Sequence, residues 1–191
     1  MHKTIDIYLQ IGVIFYNKGE KYFMFKQIDI KTLDENIFKL IDNEWMLITA
    51  GNKEKSNMMT ASWGFAGIMW NKPSVIAAVR PQRYTMEFIE NNDYFTFSFY
   101  GDNKKIHAVC GKKSGRDINK EKECNLTKVV DENTGAIYFK EARLVFICKK
   151  QYVSSLNKEG FLNNNIPNEV YKENDYHNMI IGEIVDVLIK E

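Results

Sequence analysis

The chain reads Trp45-Met-Leu-Ile-Thr-Ala50, then the polar run Gly51-Asn-Lys-Glu-Lys-Ser56, then Asn57-Met-Met-Thr-Ala61. The first run has the unbroken apolar character of a buried strand, the second is a turn, and the third is a returning strand, so 45–61 predicts a β-hairpin. Working outward, Gly64 to Trp70 predicts a third strand, Asn71-Lys72-Pro73 a turn, and the β-branched run Ser74 to Val79 a fourth strand. Tyr94 to Tyr100 alternates aromatic and polar residues, Ala142 to Leu156 reads as a long strand or strand pair, and Met179 to Ile189 as a final strand. Helical signals are short. Thr32 or Asp34 caps a helix to about Leu40, and Pro81 opens one that Asn91-Asn92 ends in the left-handed conformation. Asp102 or Asn103 caps another that stops at Gly111, and Asp117 one reaching Glu123 with Asn125 as its stop. Phe161 to Asn174 reads as a polar loop.

Strands outnumber helices and do not alternate with them as a doubly wound sheet requires. No Gly-x-Gly-x-x-Gly is present, which argues against a Rossmann nucleotide site. No repeat or linker divides the chain. The expected fold is mainly β with short helices, an antiparallel barrel with small helices at its ends.

The 191 residues suit one domain with a sizeable core, and 45% apolar content is that of an ordinary globular protein. A net charge of +1 argues against a nucleic-acid or membrane-surface binder, though not against a local basic pocket. Cys110, Cys124 and Cys148 are odd in number and lack a Cys-x-x-Cys pair, so no disulfide framework and no metal site is expected. Reduced thiols and a cytoplasmic location are the reading that follows, with a redox role for Cys124 the minor alternative.

Residues 1–23 have two readings. Ile5 to Tyr16 is apolar but too short to span a bilayer, and it lacks the flanks of a signal peptide. Lys18-Gly19-Glu20 back-translates to codons that can contain a bacterial ribosome-binding sequence, with Met24 at a suitable spacing. On this reading 1–23 is a translated leader and 24–191 is the domain; on the other, 1–23 holds a genuine first strand.

Chemistry concentrates in two runs, Asn57-Met-Met-Thr-Ala-Ser-Trp63 and Arg80-Pro-Gln-Arg-Tyr-Thr85. The chain has only four arginines, Arg80, Arg83, Arg116 and Arg143, and two of them fall in the second run. Guanidinium groups, hydroxyls and free backbone N–H groups at a helix start are what a phosphate dianion needs. Read alone, Thr60 and Ser62 are ordinary strand-edge hydroxyls, Arg80 and Arg83 solvated charges, Ser114-Gly115 a turn and His177 a structural histidine. Lys112 and Lys113 read as solvated, with charge toward a bound anion as the alternative.

In order, Asn57-x-Met59-Thr60-x-Ser62-Trp63, Arg80-Pro-x-Arg83-Tyr84-Thr85, Gly111-x-x-Ser114-Gly115-Arg116-Asp117 and His177-x-x-x-x-Gly182-Glu183-Ile184 resemble the flavin reductase-like family, to which flavoredoxins belong. The resemblance covers most of 24–191 and implies an FMN-binding split barrel that forms a homodimer. It further implies that Asn57, Met59, Thr60, Ala61, Ser62 and Trp63 line the flavin, that Arg83, Tyr84 and Thr85 hold its phosphate with Arg80 beside them, and that Ser114 and Gly115 approach from a neighbouring loop. His177 falls where such reductases keep a histidine near the nicotinamide side, which implies NADH or NADPH as co-substrate. The electron acceptor would be free flavin, a redox protein or a small molecule. The alternative is a flavoredoxin-like FMN electron carrier that does not use NAD(P)H directly. One departure stands in the last block, where Asn174-Asp175-Tyr176-His177 carries an extra residue relative to the family's Gly-Asp-His.

Overall fold

In strand β6 (Tyr94–Phe99) the alternation of side chains buries both faces. Phe95, Phe97 and Phe99 enter one core with Met46, Ile48, Phe146, Ile180 and Ile184. On the opposite face Leu47, Val145 and Ile147 join Ile106, Cys110, Ile137, Tyr138 and Phe139 in a second core. A sheet covered on both sides needs apolar residues at every position of its central strands. That is why β2 (Met46–Gly51) is buried throughout.

The computed structural model describes residues 25–191. The reading of 1–23 as leader or first strand lies outside the described residues. Eight antiparallel strands form one sheet. β1 is Phe25–Ile28, β3 Ser56–Ala61, β4 Gly64–Met69, β5 Lys72–Val79, β9 Leu144–Ser155 and β10 Asn178–Lys190. Their order is β3-β2-β6-β9-β10-β5-β4, with β1 also on β10. The two ends of this order, β3 and β4, are consecutive in sequence and joined only by Ser62 and Trp63. So short a link cannot cross a flat seven-strand sheet, in which neighbours lie about 4.8 Å apart. The sheet must therefore curl until its edges meet, which makes it a split barrel. Consistently, a Cβ on Gly64 of β4 would come within 2.9 Å of Met46 Cε on β2.

The hairpin expected over 45–61 is present, with Met46 opposite Ala61 and Gly51 opposite Ser56. Helices α1 (Tyr84–Asn91), α2 (Lys104–Lys112), α3 (Lys120–Glu123) and α4 (Asn165–Val170) surround the sheet with a small hairpin of β7 (Lys128–Val130) and β8 (Ile137–Phe139). Among the described residues no helix is long and apolar enough to cross a membrane.

Several boundaries differ from expectation. The first helical segment is capped by Asn36, whose Oδ1 accepts from Phe38 and Lys39 N–H, and continues as a π-helix over Lys39–Glu44. Arg143 pairs with Glu35 and Glu44 and so pins that segment. The β4–β5 turn is Trp70-Asn71, both with positive φ, so Lys72 and Pro73 belong to β5. A two-residue hairpin loop wants that backbone whatever the residues. Pro81 shapes a turn closed by Arg83 N–H to the Arg80 carbonyl, and α1 starts three residues later at Tyr84. Asn92 is extended; the Asn91 and Asn92 side-chain amides instead donate to the Glu87 and Phe88 carbonyls at the end of α1. Helix α2 runs one residue past Gly111, and α3 is capped by Asn119 rather than Asp117. Asn125 does adopt the left-handed conformation after α3. Helix α4 forms where a loop was expected, and the β7–β8 hairpin was not foreseen.

Candidate functional site

β3 is an edge strand, so one set of its backbone groups is left out of the ladder and open to a ligand. Alternation along it sends Met59 and Ala61 into the core and Thr60 to the other side, toward α2. The Thr60 hydroxyl donates to the His107 carbonyl at 3.0 Å, and the Thr60 methyl-bearing Cβ faces Gly111. Ala61 can therefore meet a ligand only through its backbone. Ser62 and Trp63 are exposed at the link between the sheet edges.

At the start of β3, Asn57 is buried and its Nδ2 donates to Thr85 Oγ1 at 2.8 Å. This bond ties β3 to the first turn of α1. Beside it lies a cavity of about 430 Å³ lined by Asn57, Met59, Arg80, Arg83, Thr85, Lys112, Ser114 and Lys120, with Gln82, Tyr84, Lys113, Gly115 and Asp175 completing it. Gly115 packs so closely on Asn57 that a Cβ would lie 1.9 Å from Asn57 Oδ1. No side chain caps α1 at Arg83, so first-turn amides of α1 are without a side-chain acceptor. Five cationic side chains against one carboxylate make this a basic pocket in a nearly neutral chain.

The two arginines differ in role. Arg80 is paired with Asp175, donates to the Val170 carbonyl at 3.0 Å and lies over the Tyr171 ring. Its charge is matched, and it fastens the 170–177 segment to the barrel. The Gln82 amide and the Arg80 guanidinium together hold the Asp175 carboxyl below the usual range. Among the described residues the Arg83 guanidinium donates to the Gly111 carbonyl alone, at 3.1 Å, and it is exposed. Tyr84 lines the cavity, and Arg116, which does not, lies over its ring at 4.4 Å.

His177 lies apart from this cavity. It is 7% exposed, its Nδ1 is 2.8 Å from the Tyr171 hydroxyl, and its ring centroid is 5.1 Å from that of Trp63. Tyr171 meets the imidazole edge-on and is itself packed against Phe161 and Tyr176. The structure thus gathers Asn57, Met59, Arg80, Arg83, Tyr84, Thr85, Ser114 and Gly115 around one cavity. It carries Thr60, Ala61, Ser62 and Trp63 along the adjoining edge toward His177.

The residue that sequence reasoning missed is Lys120. It is 5% exposed, and its Nζ donates to the Met58 and Cys110 carbonyls at 2.8 and 3.0 Å. Burial lowers its pKa, and Arg83 nearby adds to the effect. In the run Asn119-Lys-Glu-Lys-Glu123 nothing marks it as different from Lys122. Lys112 and Lys113, read as solvated, line the cavity while remaining exposed. Asp175 and Tyr171, which orient Arg80 and His177, were given no role.

Two histidines are held neutral. Burial, aided by Arg80, pushes His177 down to about 4, and burial, aided by Lys104, does the same to His107. In the unfolded chain a histidine titrates near 6.5. Between those values the unfolded chain binds protons that the folded chain refuses, so stability rises with pH through this window and is lost as pH falls through it. Each histidine is expected to cost about 2 kcal/mol on going from pH 7 to pH 4.5. Urea midpoints at the two pH values check this, and His107→Gln should remove one share. An unchanged wild-type midpoint would show the imidazoles to be solvated.

The comparisons fit this geometry. Flavoredoxin from Methanosarcina acetivorans is 24% identical, with 75% of this chain and 67% of that one covered and a TM-score of 0.57. Flavoredoxin of Desulfovibrio vulgaris (Miyazaki F) is 23% identical over 77% and 69%, with a TM-score of 0.60. The NADH:FAD oxidoreductase of Streptomyces globisporus C-1027 is 14% identical over 78% of each chain, with a TM-score of 0.58. At these identities the likeness is one of fold. No curated protein matches the sequence. The model of the flavin reductase like domain matches residues 39–191, from the π-helix through the barrel, α1 and the basic loop to β10, and the chain belongs to that family.

Proposed function

We propose that the protein is an FMN-binding oxidoreductase that takes electrons from NADH or NADPH and passes them to free flavin, a redox protein or a small acceptor. The observation that carries this reading is the basic cavity at the start of α1. Its donor set fits a phosphate dianion, combining guanidinium, ammonium, hydroxyl and uncapped helix amides. Gly115 also fits, because its missing side chain lets the 113–119 loop close on Asn57.

On this reading Arg83, Thr85, Ser114, Lys112 and Lys120 take the phosphate end. The free end of β3 and its link to β4, from Thr60 to Trp63, run beside the ring, and the cations of the cavity favour negative charge on what is bound. FMN, when bound, supplies the hydride-accepting chemistry, and the chain supplies orientation and electrostatics. His177, neutral and fixed by Tyr171, borders the ring side through Trp63.

The deciding experiment is the spectrum of the purified protein, followed by anaerobic addition of NADH or NADPH. A yellow protein that bleaches at a useful rate supports the reductase. A colourless protein that takes up no FMN removes the reading. A specific observation favours the second reading, an FMN electron carrier. Trp63 and Tyr171 pack against His177 and leave it 7% exposed, so little of it faces an incoming nicotinamide. A carrier would be reduced by dithionite or a ferredoxin and left oxidised by both nucleotides.

Arg83→Ala is expected to weaken FMN binding by about 1.5–3 kcal/mol, the range for a bond to a charged group. Titration with fluorescence quenching checks it; unchanged affinity would take Arg83 out of the phosphate site.

The reading includes a homodimer. Trp63, Phe65, Ile68 and Trp70 are all more than half exposed around β4, and Tyr152 on β9 is 51% exposed. Exposed aromatic and aliphatic side chains on and beside β4, and on β9, support a covered face, and a second copy is the occupant proposed. Light scattering is expected to give twice the chain mass at micromolar concentration. A monomer would overturn this part.

A further inference from the structure

The thiols of Cys110 and Cys124 lie 3.9 Å apart, although the residues belong to different helical elements. Cys110 is in the last turn of α2 and fully buried; Cys124 is the C-cap of α3 and half-buried. Between them the chain supplies Lys112, Lys113, Ser114, Gly115 and Lys120 to the basic cavity. The pair thus closes the base of the loop on which the cavity depends. Lys120 is fastened there too, through the Cys110 carbonyl.

We propose that Cys110 and Cys124 form a reversible intramolecular disulfide that clamps the 113–119 loop and tightens the cavity for its phosphate ligand. Bringing two sulfurs from this separation to the bonded length of about 2 Å asks them to approach by roughly 2 Å. The oxidant is a small-molecule disulfide of the glutathione class. Cys124, the more accessible, loses its proton and attacks the small disulfide, forming a mixed disulfide and releasing one small thiol. The Cys110 sulfur then attacks Cys124 Sγ, forming the protein S–S bond and releasing the second small thiol. Two protein thiols are oxidised to one disulfide, one small disulfide is reduced to two thiols, and the two protein protons end on the departing sulfurs. Burial raises both thiols, Cys110 to about 12, so exchange is slow and selective rather than immediate. Cys148 is enclosed in the other core, donating to the Phe146 carbonyl, and has no thiol partner among the described residues.

Bond formation does not depend on flavin, but its effect on the cavity rests on the FMN reading, so two measurements separate them. The protein is equilibrated with glutathione at graded oxidised-to-reduced ratios, quenched in acid, alkylated and weighed intact. Two thiols should disappear together while the Cys148 thiol stays, and the melting temperature should rise by roughly 5–10 °C. Cys110→Ser should stop at a glutathione adduct on Cys124, and Cys124→Ser should lose neither remaining thiol. Three free thiols at every ratio, or a cross-link to Cys148, would overturn the proposal. The oxidised form should then bind FMN about threefold more tightly, through preorganisation of the loop. Equal or weaker binding by the cross-linked protein would overturn the clamp. A protein that takes up no FMN in either state would overturn it as well, while the thiol count shows whether the bond itself exists.

Discussion

Lys120→Met is expected to lower the melting temperature by roughly 5–15 °C and to raise the FMN Kd at least about tenfold. Lys120 is buried and two of its three N–H groups go to the Met58 and Cys110 carbonyls. Methionine keeps the length of the side chain and removes the donors. Two carbonyls at the junction of β3 and α2 then lose their partner, each at a cost of about 1–3 kcal/mol where water cannot replace it. The cavity also loses its most enclosed positive charge, which acts at lower effective dielectric than the exposed Lys112 and Lys113. Lys120→Arg, which keeps charge and donors but not the fit, should fall between. Thermal melts and FMN titration of both variants check this. A methionine variant with wild-type melting and affinity would show that the ammonium neither supports the junction nor faces a ligand.

Gly115→Ala is expected to separate affinity from stability. Its added Cβ would stand 1.9 Å from Asn57 Oδ1, 2.9 Å from Asn57 Cγ and 3.3 Å from Tyr84 Cδ1. Asn57 cannot simply turn away, because it is buried and its amide holds Thr85. The cheaper response is for the 113–119 loop to lift, which costs about 1–2 kcal/mol of stability by the usual scale for overpacking. Lifting the loop carries Ser114, Lys112 and Lys113 away from Arg83 and Thr85, so FMN binding should weaken about tenfold or more. The double variant Asn57→Ala, Gly115→Ala removes the obstacle, and its FMN affinity should be better than the two single effects predict by addition. Additive losses would mean that the loop and Asn57 act independently.

The sequence was most legible where the chain's local geometry governs. Alternation in Tyr94–Phe99 and continuity in Met46–Gly51 are set by which faces of a strand are covered, and both survive folding unchanged. The gathering of Asn57, Arg83, Thr85, Ser114 and Gly115 was readable as the first three of four ordered blocks, and these three do surround one cavity, while the His177 block lies apart from it. Helix starts were read less well. Pro81 fits a first helical position and a type I turn equally, and the Arg80 anchor to Asp175 and Val170 keeps it in a turn. Asp117 and Asn119 are both good caps, and only the hydrogen bond from Lys122 N–H to Asn119 chooses between them. The β7–β8 hairpin is too short to announce itself by periodicity; it forms because Ile137, Tyr138 and Phe139 cover the second core.

By itself the sequence determined the strand-rich architecture, the family and the neighbourhood of the phosphate-type donors, because strand period and turn chemistry are properties of a few consecutive residues. Only the tertiary structure decided which of the polar side chains are already spoken for. Arg80 is neutralised by Asp175 from the far end of the chain, Lys120 is drawn under the loop by two carbonyls, and His177 is turned onto Tyr171 and Trp63. The strength of a charge or a hydrogen bond depends on burial and on partners brought together across the fold, and no local pattern encodes either.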